Sequence, residues 1–137
     1  MGASSFVIDD GLYEVTFKNN NEEVFAKFSF NPSDTGLLSR YDSFIDFLDN
    51  YSMPEDADVN EIINLEETIK KKIDELFNRE ISKDIFAVYN PCTIFANGDM
   101  YIEVVIKHMS EIIEQETDTR LKKKVAKIRK ATAKNRK

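Results

Sequence analysis

Catalysis needs activated side chains held together, and in this chain of 137 residues the scarcest candidates are single: one histidine, His108, and one cysteine, Cys92. A histidine that works as a general base needs an orienting partner. His108 has no motif to supply one, and beside Met109 it falls off the apolar stripe of its segment, so a surface histidine is expected. Cys92 lacks a histidine signature nearby and reads as a buried small residue, not a nucleophile. With no second cysteine there is no internal disulfide, which fits a reducing cytosol. One cysteine and one histidine also fall short of any zinc spacing. Glu55-Asp56-Ala57-Asp58 has the carboxylates of a calcium loop but neither its central glycine nor its closing bidentate glutamate, so a solvated acidic loop is expected. Asn97-Gly98-Asp99 is a lone glycine turn ahead of a helix. Without further glycines or a Lys-Ser/Thr pair it reads as a cap with Asp99 at the helix start, not as a phosphate cradle. No carboxylate pair can be assigned by spacing. The expectation is therefore a non-enzyme, with no catalytic residue, cofactor, metal site or small-molecule substrate.

Charge is where the sequence departs from an ordinary domain. The net charge of −6 combines residues 1–119, with 25 acidic and 9 basic side chains, and residues 120–137, with 10 basic and none acidic. An acidic body of −16 thus carries a tail of +10, an asymmetry that favours an interaction role for the tail. In helical form, residues 120–133 place Leu121, Val125 and Ile128 on one face among Lys122, Lys123, Lys124, Lys127, Arg129 and Lys130. Nucleic acid is disfavoured as the partner, since the body repels phosphate and the tail has no aromatic residue for stacking. Three aliphatics are few for a membrane-surface helix, and no apolar run approaches a span. A protein partner whose groove takes the stripe remains, as does docking on the chain's own acidic body or on a neighbouring copy.

The elements that position these residues follow from periodicity. Tyr13, Val15 and Phe17 alternate with polar residues, and after the Asn-rich stretch 19–22 a second run puts Val24, Ala26, Phe28 and Phe30 on one face. A β-hairpin is expected, with Phe6-Val7-Ile8 as an optional leading strand. Asn31-Pro32-Ser33-Asp34 opens a helix, Asn31 capping and Pro32 in the first position. Its stripe runs through Leu37, Leu38, Tyr41, Phe44, Ile45, Leu48 and Tyr51. A second helix spans about 60–78, with Ile62, Leu65, Ile69, Ile73, Leu76 and Phe77 inward. A third starts near Asp99 with Ile102, Val105, Ile106, Met109, Ile112 and Ile113, and either crosses the polar stretch 114–119 as one helix or breaks there. The fold class is α+β: a small N-terminal antiparallel hairpin or meander packed against about three helices, with a compact body over 1–119 and a basic helical tail over 120–137. One domain is all this length suggests.

Taken together, Tyr13-Glu14-Val15-Thr16-Phe17-Lys18, Phe28-Ser29-Phe30-Asn31-Pro32-Ser33-Asp34 with Arg40-Tyr41, and Ile73-Asp74-Glu75-Leu76-Phe77 followed by Asp84-Ile85-Phe86 resemble small tail proteins of phages of Gram-positive hosts. Gly98-Asp99-Met100-Tyr101-Ile102-Glu103 and the closing Lys127-Ile128-Arg129-Lys130 to Asn135-Arg136-Lys137 extend the likeness over about residues 12–137. The layout is similar to that of the tail assembly chaperones of long-tailed phages. That resemblance implies a protein without catalytic residues that binds the tape measure protein and keeps it soluble until the tail tube forms around it. It also implies residence in the host cytoplasm, absence from the mature virion, and often a longer frameshifted form, for which Lys122-Lys123-Lys124 could mark a slippery stretch. Self-association is a further expectation, since several linked copies hold a rod-like client better than one. On this reading the contacts are Leu121, Val125 and Ile128 with the flanking lysines and arginines. The alternative is a small nucleic-acid-associated protein that binds through the same tail.

Overall fold

In a computed structural model of the chain, residues 2–50, 56 and 58–135 are described, the side chains of 131–135 apart. Strands β1 (Tyr13–Lys18) and β2 (Val24–Phe30) form one antiparallel hairpin. Four helices follow, α1 (Thr35–Asn50), α2 (Val59–Phe77), the single turn α3 (Ser82–Ile85) and α4 (Tyr101–Asn135). The α+β class stands, and the sheet has two strands. Phe6-Val7-Ile8 does not add a third: its side chains are 82%, 103% and 82% exposed, away from the sheet. Just after it, Asp9 Oδ1 accepts the Gly11 N–H and Asp10 Oδ1 the Leu12 N–H, with Gly11 at a φ of 69°. These two side-chain turns compete with a hairpin at the same place.

Register explains a second departure. Tyr13 pairs with Phe30, Val15 with Phe28 and Phe17 with Ala26, but Lys18 pairs with Val24, leaving Phe25 as an extra residue in β2. Such a bulge breaks the alternation of faces. Val24, expected inside, is 55% exposed, while Phe25 turns half-inward onto Tyr89 and Tyr101. The hairpin loop is held by Asn19 Oδ1, which accepts the N–H groups of Asn21 and Glu23, and the left-handed residue is Glu22 at φ 62°.

The start of α1 lies three residues beyond the expected one. Asn31 Oδ1 accepts the Ser33 N–H and so closes a turn ahead of the helix, with Pro32 buried inside it. The capping bond belongs to Asp34, whose Oδ1 accepts the Gly36 N–H at 3.0 Å. Leu37 and Phe44 are buried and Tyr41, Ile45 and Leu48 half-buried, but Leu38 is 60% exposed and Tyr51 lies outside the described residues. Helix α2 matches its expectation more closely. Asp58 caps it by accepting the Glu61 N–H at 2.8 Å, Asn78 closes it in the left-handed region at φ 51°, and Leu65, Ile69, Ile73, Leu76 and Phe77 are buried. Asp58 is thus a cap, Asp56 is exposed, and Glu55 and Ala57 fall outside the described residues.

Between hairpin and helices lies one core, sealed by polar ties. Asp74 on α2 accepts from the N–H groups of Ile81 and Ser82 through Oδ1 and from the Ser82 hydroxyl through Oδ2, fixing the start of α3. Arg40 on α1 donates from Nε to the Leu76 carbonyl at 2.8 Å and pairs with Asp34, joining α1 to the carbonyl end of α2. Ile81, Ile85 and Phe86 then close the core beneath β2, and Ile102, Val105 and Met109 of α4 are fully buried in it.

Candidate functional site: the exposed face of the last helix and an aromatic groove

Helix α4 is one continuous helix of 35 residues, about 52 Å long. Its first amides are not capped by Asp99. The Tyr101 N–H donates to the Thr93 carbonyl at 2.8 Å and the Ile102 N–H to the Pro91 carbonyl at 2.9 Å, so the loop through 91–93 satisfies them. Asp99 instead closes the Asn97-Gly98 turn, its N–H donating to Asn97 Oδ1. Helix formation persists through 114–119 because that polar stretch contains no glycine or proline and adds paired charges one turn apart. Glu116 pairs with Arg120 at 3.3 Å and Asp118 with Lys122 at 3.0 Å.

Burial on the body ends at Ile113. One turn or two further on, the same face carries Arg120, whose Nη1 donates to Asn31 Oδ1 at 3.2 Å and to Ser33 Oγ at 3.0 Å on the turn before α1. Arg120 therefore belongs to the body although it opens the basic run. Leu121, Val125 and Ile128 lie together roughly a third of a turn around the helix from the buried stripe. They are 60%, 39% and 53% exposed, and Lys122, Lys123, Lys124, Lys127, Arg129 and Lys130 are exposed around them. Residues 121–130 are all exposed, so among the described residues the tail is not buried against its own body, which was one of the sequence readings. The cause is that rotation: with Ile102 to Ile113 buried, the later aliphatics point past the body.

A second surface was missed by sequence reading. Beside β1, an open groove of about 920 Å³ runs between that strand, the Phe95 turn and α4. Its floor is aromatic and aliphatic: Phe17, Phe25, Tyr89, Phe95, Tyr101 and Val104. Tyr101 is the hub, with ring centroids of Phe86, Tyr89 and Phe95 within 5.7 to 5.8 Å and its hydroxyl donating to the Ile85 carbonyl at 2.7 Å. Burial first, and then Tyr89, push its phenol far above the ordinary range. The signal was the spacing of Phe25, Tyr89, Phe95 and Tyr101, which only the β2 bulge and the 86–100 loop bring together.

The residues singled out for chemistry are dispersed. His108 sits on the rim of the groove, its ring 6.1 Å from that of Phe17 and its Nδ1 3.5 Å from Glu111 Oε2. Cys92 is half-buried, and its N–H donates to Glu66 Oε2 at 3.2 Å. Desolvation, with Glu66 adding to it, pushes the thiol up and disfavours the thiolate that nucleophilic attack requires. Among the described residues no group of three or more His, Cys, Asp or Glu could hold a metal ion, and no helix is long and apolar enough to cross a membrane. No protein-family model, curated protein or solved structure matches the chain, so its reading rests on its own geometry and on the layout of its sequence.

Proposed function

We propose that the chain is a phage tail assembly chaperone that binds tape measure protein through the exposed face of the distal part of α4 and keeps it soluble in the host cytoplasm, without entering the mature virion. The observation that carries this reading is the exposed aliphatic stripe Leu121, Val125 and Ile128, framed by lysines and arginines on a helix that leaves an acidic body. A holdase must offer apolar surface and still not aggregate. The stripe supplies the surface, and the −16 of residues 1–119 opposes disordered aggregation through it. Basic residues around the stripe select client helices with acidic flanks and speed their capture. The likeness to the tail assembly chaperones in overall layout supports the same assignment, and self-association would let several stripes hold one long client.

Co-expression with tape measure fragments tests it, comparing the full chain with Leu121→Asp/Val125→Asp and with a chain ending at Arg120. Both changes leave the body contacts of Arg120 intact. Loss of soluble client in both variants, with an unchanged melting temperature of the chaperone, is the expected result. Equal recovery of client would sink the assignment. If the full chain instead held DNA or RNA at physiological salt well above the non-specific level, the nucleic-acid alternative would replace it.

A further inference from the structure

We propose that the groove beside β1 receives segment 4–8 of a second copy, which adds a third strand to the sheet, the two copies exchanging these arms. Among the described residues the edge of β1 is open. Helix α3 packs against β2, whereas β1 is bordered along its length by the groove and pairs with nothing but β2 among the described residues. Every second backbone N–H and C=O of β1 therefore faces outward without a strand partner, which is the situation that invites β-strand addition. No proline blocks that edge, and the bulge that could twist it away is in β2.

The occupant follows from the other unexplained feature of the molecule. Phe6, Val7 and Ile8 are almost wholly exposed, strand-forming and apolar, a combination that a free chain in water does not favour. Strand alternation matches them to the groove. Tyr13, Val15 and Phe17 face the interior from β1 while Glu14, Thr16 and Lys18 face out, so an added strand would set Phe6 and Ile8 over Val104 and Phe95 and leave Val7 on the outer face. A second copy is favoured over the same chain because Asp9 and Asp10 hold the 9–12 turn in a form that carries the arm off its own sheet. Each copy owns one arm and one edge, so a two-fold exchange satisfies both at once. The pairing gives self-association a surface, and it does not depend on any client.

Cysteine pairs in a Cys92→Ala background test the placement directly. Val7→Cys in one chain is mixed with Glu14→Cys, Thr16→Cys or Lys18→Cys in another and oxidised, each of these positions being exposed in the monomer. The expected result is a disulfide-linked heterodimer at one of the three positions, and a concentration-dependent dimer by light scattering of the unmodified chain. Phe6→Asp/Ile8→Asp and Val7→Pro should weaken that dimer by about a hundredfold or more, as loss of two large buried apolar side chains requires, with the melting temperature unchanged at concentrations where all chains are monomeric. Three results overturn the proposal: a monomer with no cross-link, a dimer cross-linked at none of the three positions, or a dimer indifferent to the arm substitutions. Since none of these measurements contains tape measure protein, their failure leaves the chaperone assignment standing, and the reverse holds as well.

Discussion

Two polar side chains hold more of this fold than their number suggests. Asp74 uses both oxygens on Ile81 and Ser82, and Ser82 is itself buried. Replacing Asp74 by alanine leaves the Ser82 amide and hydroxyl without this acceptor and the Ile81 amide with the Arg79 carbonyl alone, at a cost of about 1–3 kcal/mol. Urea unfolding of Asp74→Ala should show that loss, and a midpoint equal to wild type would mean the 78–82 turn is fixed by packing alone. Arg40 acts across a different joint. Its hydrogen bond, followed by the amide of Gly36, holds the Asp34 carboxyl below the usual carboxylate range. A carboxylate lowered in the folded state stabilises fully above its ordinary value of about 3.9, and that contribution fades as pH falls through the lowered folded value. Stability of the wild type should therefore fall more steeply below about pH 4 than that of Asp34→Asn, which is already weakened at pH 7. Parallel slopes from pH 5 to pH 2 would refute the link. Gly36 also matters here, because a Cβ there would press on the Arg40 guanidinium that Asp34 and the Leu76 carbonyl hold in place.

The last helix does two jobs along its length. Up to Ile113 it is a core element, and beyond Arg120 it stands in solvent, so the two parts should respond differently to a break. Lys124 is exposed beyond that junction. Proline there costs about 3 kcal/mol in a helix interior, more than the solvent-exposed part of α4 has packing to resist. Lys124→Pro should lower the helical circular dichroism signal by the share of residues 124–135 while the body keeps nearly its wild-type melting temperature. A large drop in that temperature would show that the distal part supports the body after all. By contrast, Ile73→Ala in the fully buried stripe of α2 should cost about 2–5 kcal/mol and unfold the whole molecule earlier, read as a shift of the same denaturation midpoint.

At the scale of the molecule, charge separation governs rates more than equilibrium grip. On the proposed chaperone role, an acidic body and a basic helix make an oriented field that would draw in client segments of matching pattern, and salt screens such steering. Association with an acidic tape measure fragment should slow by about tenfold or more between low and high salt, while dissociation, set by the aliphatic stripe, changes far less. Stopped-flow mixing at two ionic strengths measures both. A salt-indifferent on-rate would assign recognition to shape and apolar contact only.

The kinds of element, and most inward-facing residues of α2 and of the first half of α4, were readable in the chain because amphipathic spacing is a local property that burial then enforces. So was the amphipathic pattern of the basic tail, since three aliphatics among lysines and arginines need no fold to be noticed, although docking on the body was left open until the structure exposed them. The residues that disappointed are those whose position depends on a neighbour. Leu38 shares a stripe with Leu37 yet faces water, Phe25 and Val24 exchange roles because one residue of β2 is left over, and the caps expected of Asn31 and Asp99 pass to Asp34 and to the carbonyls of Pro91 and Thr93. Periodicity states which residues share a face. It does not state which face another element will cover, how far around α4 the tail stripe is rotated from the buried one, or that Tyr101 gathers rings from the strand and the 86–100 loop into one groove. Those are consequences of long-range packing, and only the folded chain decides them.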